Sequence, residues 1–171
     1  MANRLLSIYL RDHLAGATAG RELARRAFAN SEGTDLAPAL SRLAGEIDED
    51  RQDLVRLMAE LGIRPSRTKI ALGWLAEKAG RLKLNGRLVR SSPLSRLVEL
   101  EGLTLGVSGK QCLWAGLERA GLRPEAVDLA ALRERAGNQR RELEARRLEI
   151  AAEVLELHAP REANRAPERP S

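Results

Sequence analysis

The chain has 171 residues, a formal net charge of +5 and few aromatic side chains, with two Trp, one Tyr and one Phe. It is rich in Ala, Leu, Arg and Glu, which are strong helix formers, and poor in the β-branched and aromatic residues that favour strands. We therefore predict an all-α protein, and its length suits one domain with a sizeable core. A single cysteine excludes a framework of disulfides within the chain.

The apolar runs are short. The first, Leu5 to Leu10, stops at Arg11 and Asp12, which is too short for the core of a signal peptide or for a membrane span. The single cysteine, Cys112, fits a reducing compartment. These features predict a cytoplasmic protein without a membrane span.

Four segments carry apolar residues at helical spacing, at about 3–30, 36–61, 93–120 and 124–158. Short turns join the first two and the last two, so each pair is predicted to form an antiparallel hairpin. Gly62 and Gly121 are predicted to end the second and third helices, and Pro124 to begin the fourth. The third segment is apolar on most of its circumference, and Cys112, near Leu105, is predicted to be a small core residue. Recurring glycines in this segment suggest that another helix approaches closely; they are Gly102, Gly106, Gly109 and Gly116.

The stretch from about 64 to 92 is the predicted crossover between the hairpins, and it is strongly basic. Nine basic residues and one acid lie between Arg64 and Arg96, a net charge of +8. Such a cluster can attract nucleic acid or an anionic surface, but the interleaved aromatic residues of nucleic-acid platforms are absent, which favours a solvated face. The candidate basic patch is Lys69, Lys78, Arg81, Lys83, Arg87 and Arg90. Residues 159–171 carry no apolar stripe and are predicted to be a disordered tail, which leaves 1–158 as a single bundle domain.

Each apolar stripe contains a polar residue, and these residues are His13, Asp50, Glu101 and Arg147. Buried acids usually have partners, so Asp50 and Glu101 are predicted to face the interior and to meet Arg147 or its neighbour Arg146. His13 is expected within reach of this buried polar cluster.

Two hairpins joined by one long, partly helical connection resemble the ferritin-like superfamily, especially its small bacterial members, over about residues 3–158. The resemblance implies a four-helix bundle. In that superfamily a di-metal centre takes one carboxylate from each of two helices and a Glu-x-x-His pair from each of the others. Carried onto this chain, it implies a metal set for iron or manganese made of His13, Glu46, Asp50, Glu101 and Glu144.

The chain departs from that pattern because it contains no Glu-x-x-His sequence. After Glu144, Arg147 takes the place of the histidine, and arginine stays protonated and cannot ligate a cation. We therefore predict a non-catalytic bundle without a cofactor, whose former metal site holds an ion-pair network and which acts through contacts with a protein partner or with itself. Two alternatives remain: a carboxylate-rich enzyme that binds or oxidises metal, and a binder of nucleic acid or anionic surfaces through the basic crossover.

Overall fold

The structure is a computed structural model that describes residues 4–65 and 93–155, and within these ranges every regular element is a helix. The four helices are α1 (Arg4–Ala29), α2 (Ala37–Glu60), α3 (Pro93–Arg119) and α4 (Leu129–Val154). The all-α prediction is confirmed. Most of the predicted crossover, with the six basic-patch residues in it, and the predicted tail at 159–171 lie outside the described residues.

The helix ends follow local chemistry. Gly62 and Gly121 have φ values of 67° and 80°, a conformation that glycine adopts without strain, and they follow α2 and α3 as predicted. The predicted start of α4 near Pro124 is wrong. The helix begins at Leu129 because the Asp128 carboxylate accepts hydrogen bonds from the N–H groups of Ala130 (2.9 Å) and Ala131 (3.1 Å).

The two predicted antiparallel hairpins are confirmed. Along α1 and α2, Arg21 Nε lies 2.7 Å from Asp48 Oδ1, and nearer the start of α1 the Arg11 side chain donates to the backbone oxygen of Arg64 at 3.0 Å. Positions that rise along α1 therefore fall along α2. In the second hairpin α3 packs along α4, and Arg133 Nε of α4 lies 3.2 Å from Glu118 Oε2 near the end of α3.

The hairpins pack with α1 against α3, also antiparallel. Leu23 of α1 lies against Gly102 of α3, and nearer the end of α1 Arg26 Nε lies 3.1 Å from Glu99 Oε1. Because α2 and α3 both run opposite to α1, they run parallel to each other. The end of α2 and the start of α3 therefore lie at opposite ends of the bundle.

The core is aliphatic around one aromatic side chain, Trp114 of α3, which is fully buried. Each of the other helices also contributes fully buried side chains, with 0% exposure: Leu10 from α1, Leu57 and Met58 from α2, and Leu143 from α4. Burying each of these side chains stabilises the fold by about 1.5–3 kcal/mol before the entropy of ordering is subtracted. None of the four helices is both long enough and apolar enough to cross a membrane.

One face of α3 departs from the prediction. Leu105, placed in the inward stripe by its spacing, is 74% exposed, Leu94 is 48% exposed, and Cys112 is exposed and not a small core residue. The three residues lie on the side of α3 that points away from both α1 and α4. Because α3 is apolar on most of its circumference, periodicity alone did not show which side faces the core.

Candidate functional site: a buried ion-pair network

The polar centre of the bundle is Asp50 of α2, which is 2% exposed although its neighbours in the stripe are apolar. Its Oδ1 accepts a hydrogen bond from Arg135 Nε at 2.7 Å. Its Oδ2 accepts one from the Lys110 ammonium and another from Gln139 Nε2 at 3.1 Å. Asp50 thus joins α2 to both helices of the second hairpin. The prediction that Asp50 faces the interior is confirmed.

A second buried acid lies one helical turn further along α2. Asp53 is 7% exposed, and its Oδ2 accepts from Arg135 Nη2 at 2.6 Å, while Arg56 binds its other oxygen. Arg135 of α4 therefore bridges two carboxylates with different nitrogens, as the planar guanidinium group allows. Burial opposes the charge of Arg135, but Asp50 and Asp53 outweigh it and raise its pKa.

Lys110 and Gln139 complete the interior of the network. Lys110 Nζ donates to Gln139 Oε1 at 2.5 Å, and the Gln139 amide, 1% exposed, donates to Glu46 Oε2 at 3.0 Å. Burial lowers the pKa of Lys110, although Asp50 acts in the opposite direction. Each buried polar group in this chain of contacts has a partner, which buried charges require to be tolerated.

The network reaches the surface between α2 and α4. Arg42 lies 2.6 Å from Glu46 Oε1 and 2.5 Å from Glu142 Oε2, and its side chain is half exposed. A shallow groove opens here, and its walls include Arg135 and Gln139. Its two arginines, Arg42 and Arg135, are already paired with carboxylates of the network, so neither is free to bind an anionic ligand.

The other predicted cluster residues lie elsewhere. Arg147 Nη2 pairs with Glu144 Oε1 at 2.7 Å, and Arg147 Nη1 lies 3.8 Å from Glu101 Oε1. Glu101 is exposed, so the prediction that it faces the interior is wrong, and so is the prediction that Arg146 or Arg147 is the partner of Asp50. Arg146 pairs with Glu149 near the surface, at 3.0 Å. Arg147 follows Arg135 by 12 positions, about three turns of α4, and Arg147, Glu144 and Glu101 form a separate, outer group.

His13 also stands apart from the network. Its ring meets the edge of Tyr9 on the same helix, with centroids 4.5 Å apart at 75°. Burial lowers the pKa of His13, and the charge of Asp12 only partly offsets this. The residue is half-buried beside the contact between α1 and α3.

Of the implied metal set, Glu46 and Asp50 share Gln139 as a donor, and Glu101 and Glu144 share Arg147. His13 belongs to neither pair. Across residues 4–65 and 93–155, no group of three or more His, Cys, Asp or Glu side chains is placed to hold a metal ion.

Sequence reasoning missed Lys110, Arg135, Gln139 and Asp53. A usable signal existed for Lys110, which lies at helical spacing from Leu103, Val107 and Trp114, on the side of α3 that is buried. The apolar character of most of α3 hid this stripe. For Arg135 the sequence offers no comparable signal, because arginine is frequent throughout the chain.

No protein-family model, curated protein or solved structure matches this chain. The geometry of the network is therefore the basis for the functional proposal.

Proposed function

We propose that this protein is a non-catalytic, ferritin-like helical bundle that acts through protein contacts, and that an internal ion-pair network occupies the place of a metal centre. The observation that carries the proposal is the position of the Lys110 ammonium, in contact with Asp50 and Gln139 between three helices. In bundles with metal sites, inward carboxylates of different helices meet around a cation that is not part of the chain. Here the chain supplies the cation.

The charge pattern supports the same proposal. Both oxygens of Asp50 already accept hydrogen bonds from cationic groups, and Arg135 also holds Asp53. A metal ion at Asp50 would have to displace Lys110 and would lie beside Arg135, so Coulomb repulsion would add to the loss of the Lys110–Asp50 ion pair.

The helix directions also support the ferritin-like arrangement. The bundle consists of two antiparallel hairpins. The second helix of the first hairpin, α2, runs parallel to the first helix of the second hairpin, α3. Ferritin-like bundles have one long crossover connection, whereas up-down-up-down bundles have only short loops. The proposed superfamily rests on this arrangement and on the pattern of apolar stripes in the sequence.

The test is metal analysis of protein purified without an affinity tag or chelator, together with melting curves after addition of Fe²⁺ or Mn²⁺. We expect less than stoichiometric metal and an unchanged melting temperature, because a ligand stabilises a fold only if it binds the folded state. The matched variant is Lys110→Met, which removes the internal cation and leaves Asp50. Stoichiometric metal in the wild-type protein that is lost in Asp50→Asn would overturn the proposal and favour the metal enzyme.

A further inference from the structure

The outer α3 face, defined here as Leu94, Leu105, Gly109, Cys112 and Gly116, is apolar and largely exposed. Leu105 has 74% and Leu94 48% of its surface exposed, and Cys112 and Gly116 are exposed as well. Extended exposed apolar patches usually mark contact sites. Within residues 4–65 and 93–155, only α1 reaches this face, at its edge, where a Cβ atom on Gly116 would lie 3.7 Å from the Tyr9 hydroxyl.

Two glycines of α3, Gly106 and Gly109, have no packing explanation within the bundle. A Cβ atom on Gly102 would lie 2.9 Å from Leu23 Cδ2, so the approach of α1 explains that glycine. A Cβ atom on Gly106 or Gly109 would meet nothing within 4 Å. A glycine inside a helix costs about 1 kcal/mol relative to alanine, so these two glycines weaken α3 without helping the bundle to pack.

The charges beside the outer α3 face suggest its occupant. Glu101 and Arg119 are both exposed, although Glu101 also lies 3.8 Å from Arg147 of its own chain. They are separated by 18 positions, about five turns of 3.6 residues, so they project from the same side of α3. If a second α3 packs antiparallel about a twofold axis near residue 110, Glu101 of one copy lies beside Arg119 of the other. The twofold axis creates this contact twice. A helix with this charge pattern is complementary to itself in the antiparallel direction.

The size of the surface also suits a pair of identical chains. A helix of this length is about 40 Å long and about 10 Å wide. The adjoining edge of α1 widens this surface, because Tyr9 lies beside Gly116 and is 39% exposed. The face is therefore long and narrow, the shape that a single helix of a partner covers.

We propose that the outer α3 face binds a second copy of this chain, with the two α3 helices antiparallel and closest at Gly109. The inference rests on the part of the proposed function that concerns protein contacts, and it specifies the partner. Gly109 allows the helices to approach closely, Leu105 packs against the partner helix five positions from the twofold axis, and the two Glu101–Arg119 pairs fix the register.

The first experiment is the mass of the full chain in solution, measured by light scattering or sedimentation from about 1 to about 100 μM, the range of moderate protein affinities. We expect twice the mass of the 18.8 kDa chain. A monomer at every concentration would overturn the proposal. That outcome would not bear on the proposed ion-pair network, which metal analysis tests separately.

Charge exchange tests the register. Glu101→Arg and Arg119→Glu should each weaken the dimer at least tenfold by placing like charges together, and the double variant should restore it. A dimer that neither single variant weakens would overturn the antiparallel α3 contact.

Gly109→Leu tests the close approach. The bundle has open space at this position, so the variant should keep its helical content and should become monomeric. The matched control is Gly45→Leu on α2, where a Cβ atom also meets nothing within 4 Å, and this variant should remain dimeric. Equal masses for the two variants would contradict the proposal.

The single cysteine provides a test of geometry. In the proposed register the two copies of Cys112 are offset by four positions, about 6 Å along the helix axis. A short bismaleimide should therefore couple two wild-type chains, and should couple neither Cys112→Ser nor Gly109→Leu. A wild-type dimer that resists coupling would overturn the register.

Discussion

The two hairpins meet along two contacts of opposite chemistry. Between α1 and α3 the contact is made largely by apolar and small residues, with Leu23 against Gly102 and Tyr9 against Gly116. Between α2 and α4 it is made by charged and amide side chains centred on Asp50. Helix packing against glycine depends on shape, whereas the ion-pair contact depends on complete pairing. A single substitution should therefore destabilise the two contacts through different physical causes.

The largest effect is expected at the centre of the charged contact. Asp50→Leu removes the acceptor shared by Lys110 and Arg135 and strands a buried ammonium, which should cost about 3–5 kcal/mol in the free energy of unfolding. Denaturant unfolding with circular dichroism measures this. The control is Glu49→Leu, whose carboxylate is 66% exposed and lies 3.6 Å from the same Arg135, and it should cost about 0–1 kcal/mol.

The double variant Asp50→Leu with Lys110→Met separates the cost of leaving a buried charge unpaired from the cost of altered packing. Replacing both members of a buried pair by apolar groups is often tolerated, so the second change should recover part of the loss. If the double variant is as unstable as the sum of the two single variants, Asp50 and Lys110 are not energetically coupled.

The apolar contact should respond to added volume. Gly102→Leu forces a side chain into the space of Leu23, because even its Cβ atom would lie 2.9 Å from Leu23 Cδ2. Overpacking of this kind costs about 1–3 kcal/mol. The same change at Gly45, which has open space, should instead stabilise the helix by up to about 1 kcal/mol. Thermal unfolding of the two variants, compared with the wild type, checks the sign of each change. A Gly102→Leu variant as stable as Gly45→Leu would show that α1 and α3 are loosely packed there.

The pH dependence of stability should distinguish the charged contact between α2 and α4 from the apolar contact between α1 and α3. Burial lowers the pKa of Lys110 below its ordinary 10.5, so between the two pKa values the unfolded chain binds more protons than the folded one. The contribution of Lys110 to unfolding free energy must therefore rise with pH in that window. The difference in stability between wild type and Lys110→Met should shift in favour of the wild type as pH rises from neutrality towards 10.5. A difference that stays constant with pH would mean that Lys110 titrates as in the unfolded chain.

The sequence predicted the parts of this molecule that depend on one helix at a time. Four amphipathic segments, two glycine stops and a buried Asp50 follow from periodicity and from the φ preference of glycine. The partners of Asp50 could not be predicted in the same way. Lys110 and Arg135 lie on different helices from Asp50, and their selection depends on how the hairpins are rotated against each other. The sequence placed Arg147 equally well in the apolar stripe of α4, and the prediction that it is the partner of Asp50 is wrong. The two arginines are three turns apart along α4, and only the three-dimensional packing decides which one reaches α2.

The smallest effect is expected at the arginine that the sequence favoured. Arg147 pairs with Glu144 on its own helix and lies 3.8 Å from the exposed Glu101, so its contacts are near the surface, where ion pairs contribute little. Arg147→Met should leave the melting temperature unchanged. Arg135→Met, 12 positions earlier on the same helix or about 18 Å along its axis, should lower it clearly because Asp53 and Asp50 both lose a cation. Differential scanning calorimetry of the two variants at low and high salt gives the comparison. If Arg147→Met were the more destabilising variant, the electrostatic centre of the bundle would lie at Glu101 and Glu144, and the network around Asp50 would be secondary.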